Sequence, residues 1–114
     1  MEVTTMAVTM KEHAIDIAKF TGNVNDEAVN AIVHYCGIAL RNRDSSMVSA
    51  SDPKELATIR DGFAVKKLGL TPDAAEAAIK SVVDKMKSDH TKHRVTFYYL
   101  LAEATGTIDK LISK

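Results

Sequence analysis

Val95-Thr96-Phe97-Tyr98-Tyr99-Leu100-Leu101-Ala102-Glu103-Ala104 is the stretch on which the fold turns. Its first half is β-branched and aromatic, a composition that favours a strand. Its second half consists of strong helix formers, and the apolar run passes from one to the other without a break. A strand needs a partner, and no other segment of the chain reads as one. The stretch is therefore a helix, ended by Gly106. Apolar on nearly every side, it belongs at the centre of a bundle, not on its surface.

Outward from this helix, turn and cap signals divide the chain into further helices. Downstream, Ile108, Leu111 and Ile112 imply one short last turn packed on the bundle. Upstream, Thr71-Pro72 opens a fourth helix with Ala75, Ile79, Val82, Val83 and Met86 facing inward, and the polar residues 88–94 separate it from the fifth. Asp52-Pro53-Lys54-Glu55 combines an N-cap, a proline at the first helical position and a glutamate at the third, a strong start signal. The third helix carries Leu56, Ile59 and Phe63 on one face and closes with Lys66, Lys67 and Leu68 before Gly69. Asn25 caps a second helix, with Val24 and Val29 at staple spacing and Val29, Ile32, Val33, Cys36 and Leu40 on one face; Gly37 interrupts it. A first helix over residues 9–20 stops at Gly22. The chain reads as all-α: a single compact bundle of about five helices plus a short C-terminal helical turn. It spans residues 11–114, behind a flexible N-terminal extension, 1–10.

Composition sets the limits on function. A chain of 114 residues is one domain by size. Fifteen Lys and Arg balance fifteen Asp and Glu, so the formal net charge is zero and the chain is not built as a general polyanion binder. One cysteine excludes an intramolecular disulfide and most Cys-based zinc sites. The apolar runs are too short to span a bilayer, and the first ten residues lack the basic and apolar regions of a secretory signal. These features imply a cytoplasmic protein with no membrane association, and nothing in the sequence calls for a cofactor.

Asn42-Arg43-Asp44, Asp52-Pro53 with Glu55-Leu56, Lys66-Lys67-Leu68-Gly69 and Arg94-Val95-Thr96-Phe97-Tyr98-Tyr99-Leu100-Leu101 form an ordered series. The series resembles a family of small bacterial helical proteins known only as a domain of unknown function. The likeness covers roughly residues 25–105 and leaves the more variable segment before Asn25 outside. It implies a bacterial, cytoplasmic protein and carries no catalytic residue, cofactor or substrate with it.

Several constellations invite functional readings. The third and fourth helices, joined through Leu68-Gly69-Leu70-Thr71, have the outline of a helix-turn-helix. The second helix of such a motif presents its N-terminal residues to the major groove. Here those residues include Asp73 and Glu76, which phosphates would repel and which a helix N-terminus stabilises, so a plain helical hairpin is the better reading. His90 and His93, and His13 with Asp16, stand three apart, but a metal site needs three or four ligands, and none is expected. Lys85, Lys87, Lys92 and Arg94, with His90 and His93 among them, make the most basic local run; lysines at a helix C-terminus complement its dipole. Cys36 sits on an apolar helix face with His34 pointing elsewhere, so it reads as a small core residue. Tyr98 and Tyr99 point about 100° apart, and at least one packs in the core with its hydroxyl bonded. No glycine-rich phosphate loop, serine elbow or paired-cysteine motif is present.

No acid, base and nucleophile converge, so the leading expectation is a non-catalytic helical protein that binds a protein partner or itself. Met47 and Val48, apolar within a polar connector, and Met10, Ile15 and Ile17, on different sides of the first helix, leave apolar area for a weak homodimer. Nucleic acid is an unfavoured partner. The alternative is a small anionic ligand held in the connector 41–51. There the guanidinium groups of Arg41 and Arg43 and the hydroxyls of Ser45 and Ser46 suit phosphate or carboxylate. The same residues also suit a structural role, with Arg43 bridging Asp44 or Asp52 and the serines closing turns.

Overall fold

A computed structural model describes residues 10–22, 24–37, 47–49, 51–87 and 93–112, with side chains from His13 onward. Six α-helices follow one another among the described residues: α1 (Met10–Ala18), α2 (Asp26–Cys36), α3 (Pro53–Thr58), α4 (Pro72–Lys85), α5 (Arg94–Ala104) and α6 (Ile108–Ile112). A π-helical segment, Ile59–Lys67, continues α3. The architecture is an all-α bundle, and the only β-type pairing among the described residues is an isolated antiparallel bridge between Met47 and His93.

Helix α5 is the axis of the bundle. Every residue from Arg94 to Ala102 is buried, and α1, α2, α4, α6 and the π-helical segment all pack on it. Val95, Phe97, Tyr99, Leu101 and Ala102 are fully enclosed. The first half of the stretch is thus helical despite its strand-like composition. An all-round apolar surface is satisfied when helices cover it on all sides, and that tertiary burial outweighs local propensity.

The starts of the surrounding helices follow from their caps. The Asn25 side chain accepts a hydrogen bond from the Ala28 N–H (3.1 Å), Asp52 accepts from the Lys54 N–H (2.9 Å) and Thr71 from the Ala74 N–H (3.2 Å). The Asn25 backbone N–H, which a glutamate three positions on commonly satisfies, instead donates to the Tyr99 hydroxyl at 2.9 Å, tying the start of α2 to the central helix. At the start of α3 the capping box is likewise open: the Asp52 N–H donates to the Ser49 carbonyl (3.1 Å), and the Glu55 side chain is used elsewhere. Helix α2 ends at Cys36, where Gly37 takes a positive φ of 48°. Leu40, expected on the same face, lies outside the described residues.

The π-helical segment departs from the α-helix expected there, and its cause lies in which side chains the core takes up. Continued as an α-helix from Ile59 and Phe63, the buried face would next reach Lys66 and Lys67, three and four residues past Phe63. Widening to five-residue hydrogen bonding, seen in the Leu68 N–H to Phe63 carbonyl bond at 3.0 Å, brings Leu68 onto that face instead. Ile59, Phe63, Ala64 and Leu68 are buried, while Lys66 and Lys67 stay in solvent.

Three expectations about apolar surface need correction. Val48 is buried in the core and Met47 is half-buried, so the two leave little apolar area to a partner; Ile17 is fully buried too. Among the described residues, the large apolar side chains that face solvent are Ile15 (57 % exposed) and Tyr35 (44 % exposed). The extension 1–10 lies outside the described residues except for Met10, which opens α1 and whose side chain is not described.

Candidate functional site

A largely buried ion pair joins the start of the central helix to α3. Arg94, the first residue of α5, is 9 % exposed. Its guanidinium donates to Glu55 Oε1 at 2.7 Å, to the Tyr98 hydroxyl at 3.0 Å and to the Met47 carbonyl at 3.3 Å. Burial opposes the guanidinium charge, but Tyr98 and the Glu55 carboxylate favour it, and its pKa lies above the ordinary value. Burial raises the Tyr98 hydroxyl pKa against the opposing pull of Arg94. The pair fixes α3, through Glu55, against the base of the central helix.

Beside this pair lies an aromatic cluster. Tyr98 stacks on Phe63, with ring centroids 4.2 Å apart and planes 24° apart, and Tyr35 closes the cluster at 5.3 Å from Phe63. The Tyr35 ring is half in solvent, with the Lys67 ammonium 5.9 Å from its centroid. Cys36 is half-buried next to it, and burial pushes its thiol up to about 11, the reverse of what a nucleophilic cysteine needs.

With α3 so anchored, an open groove of about 590 Å³ runs between α3 and α4. Leu56, Ala57, Ala77 and Ile79 form its apolar part, and Arg60, Asp73, Glu76 and Lys80 its charged rim. It continues past Leu56 and Lys80 into a second hollow of about 330 Å³ beside Val83, Asp84 and Lys87. Arg60 spans the groove: it donates to Glu76 on α4 at 2.7 Å and to its neighbour Asp61 at 2.8 Å. Those two carboxylates, Asp61 first, raise the guanidinium pKa, and Arg60 in turn lowers that of Asp61. Asp73 and Lys80 have no ion pair among the described residues and are exposed on the groove wall.

The residues singled out from the sequence are distributed very differently. Arg41, Arg43, Ser45 and Ser46 lie outside the described residues, as do His90 and Lys92. Arg94, read as part of the most basic local run, is a buried residue, because Glu55 balances its charge and the Tyr98 hydroxyl and Met47 carbonyl accept its remaining hydrogen bonds. Tyr98 and Tyr99 are both buried, and both hydroxyls are hydrogen-bonded. His13 and Asp16 are buried on α1, where Asp16 accepts from the Thr96 hydroxyl of α5 and pairs with Lys19 at 3.1 Å. The described residues contain no group of three or more His, Cys, Asp or Glu placed to hold a metal ion. None of their helices is long and apolar enough to cross a membrane. The groove itself was missed. Asp73 and Glu76 enter the sequence reading only through the helix-turn-helix outline, and Arg60, sixteen residues from Glu76, belongs to no motif.

The fold and this groove define a small single-bundle all-α protein with an open, charge-rimmed cleft on one side. The chain belongs to the family described as Protein of unknown function (DUF2853), whose model matches residues 12–109. That match begins within α1, so residues 12–24, expected to lie outside the likeness, fall inside the family's domain. Comparison with curated proteins gives no match.

Proposed function

We propose that this protein is a non-catalytic interaction module whose docking surface is the groove between α3 and α4. One observation carries the reading: a cleft between α3 and α4 with an apolar floor and a rim of mixed charge, crossed by the Arg60–Glu76 ion pair. Apolar floor and polar rim are the anatomy of protein interfaces. The partner is a protein helix rather than a nucleic acid. Asp73 and Glu76 stand where a helix-turn-helix would need to meet phosphates, and the net charge of the chain is zero. The raised Cys36 thiol, with no other cysteine to pair with, suits a reducing bacterial cytoplasm.

A photo-crosslinking amino acid at Ala57 or Ala77, with Asp109 on α6 as control, tests this in the native cell. The expected result is an adduct of one discrete mass from both groove positions and none from Asp109. Labelling that is equal at all three positions, or absent from the groove, would defeat it.

A further inference from the structure

We infer that the occupant of this groove is a second copy of the same chain, packed antiparallel on α4 about a two-fold axis between Glu76 and Ala77. The inference rests on the reading of the groove as a docking surface and adds the identity of what docks there. Asp73 and Lys80 are opposite charges seven residues apart on the exposed stripe of α4, and neither has an ion pair among the described residues. Residues four and three apart share a helix face, so Asp73, Ala77 and Lys80 form one line along the groove wall. An antiparallel copy centred between residues 76 and 77 sets Asp73 against Lys80 of the second copy. The two-fold axis then sets Lys80 against the second Asp73, so both unpartnered charges are satisfied at once, as an isologous interface requires.

Register is selected as well. Centring the pair on Lys80 would oppose Lys80 to Lys80 and Glu76 to Asp84, and a parallel arrangement would oppose each charge to its like. Zero net charge removes any long-range barrier between copies. The apolar residues Leu56, Ala57 and Ala77 supply the contact beneath the charges. A face about two helices wide and the length of α4 is roughly 20 Å by 20 Å, or about 400 Å² per copy against the ~800 Å² of a standard interface. The dimer is therefore weak and reversible.

Sedimentation of the full chain over a concentration series reaching millimolar, at low salt, tests it. The parent should shift from monomer toward dimer with concentration. Lys80→Glu and Asp73→Lys should each weaken association by about tenfold, and the double variant D73K/K80E should recover most of it. A parent that stays monomeric throughout overturns the inference, as does a dimer indifferent to both single variants or one that the double variant does not restore. Both positions are exposed, and unchanged melting of the single variants separates lost association from lost folding. A monomeric parent together with a groove-specific crosslink to a chain of different mass would remove the second copy while leaving the docking surface standing. Absence of both would remove both.

Discussion

At the scale of single residues, Arg94 ties three parts of the chain together. It joins α5 to Glu55 of α3 and to the connector through the Met47 carbonyl. Breaking a buried pair by removing one partner leaves the other charge uncompensated and costs several kcal/mol, more than exposed pairs are worth. Arg94→Met should therefore destabilise the protein by about 3 kcal/mol, seen as a fall of roughly 10 °C in Tm. The double variant R94M/E55M should lose distinctly less than the two single losses summed, because it leaves neither charge stranded. Strict additivity in a denaturant titration would show that the two side chains are not coupled. None of this was legible in the sequence. Arg94 stands beside Lys92 and His93 and reads as one more cation of a solvated run. Its burial depends on a carboxylate thirty-nine residues upstream.

At the scale of elements, the helix N-caps were legible, as were Gly37, Gly69 and Gly106, which take positive φ; Gly22, expected to cap the first helix in the left-handed region, does not, α1 ends at Ala18, and the π-helical segment was not legible. Asn25, Asp52 and Thr71 cap the helices they were expected to cap, because a cap is a local contract between a side chain and an N–H two or three residues on. The π-helical widening answers to tertiary packing, where Leu68 must be buried and Lys66 must not, and local propensity does not report that. The two glycines of this region now separate. A Cβ at Gly62 would meet only the Tyr35 hydroxyl at 3.9 Å, an ordinary contact, and Gly62 has no positive φ. Gly69 turns the chain into α4 with φ +76°. Gly62→Ala should stabilise by about 0.5–1 kcal/mol through the unfolded chain, and Gly69→Ala should destabilise by about 1 kcal/mol or more. Thermal melts should then move in opposite directions. Movement in the same direction would mean that the wide helical turn depends on glycine itself.

At the scale of the whole molecule, the fold class followed from α5: a helix apolar all round demands neighbours on every side, and the punctuation of the chain supplies them. The groove did not follow, since it is made by the angle between two helices that a third helix anchors. The same enclosure around α5 gives the molecule a pH dependence whose sign is fixed. Burial raises the pKa of Cys36 from 9.0 to about 11 and that of Tyr98 above 10.0, with both groups neutral when protonated. Below pH 9 the folded and unfolded chains hold the Cys36 proton equally, and its contribution to stability is complete. Between pH 9 and about 11 the unfolded chain has lost that proton while the folded chain keeps it. The folded state then binds more protons, and stability falls as pH rises. That rise corresponds to about 2–3 kcal/mol, lost by the upper end of that window, and Tyr98 adds a second loss that begins above pH 10. The expected outcome is a Tm that declines steadily from pH 9 upward, with Cys36→Ala flattening the first part of the decline and Tyr98→Phe the later part. A C36A protein whose Tm drops between pH 9 and 10 as steeply as the parent's would show that the thiol is not the group being strained.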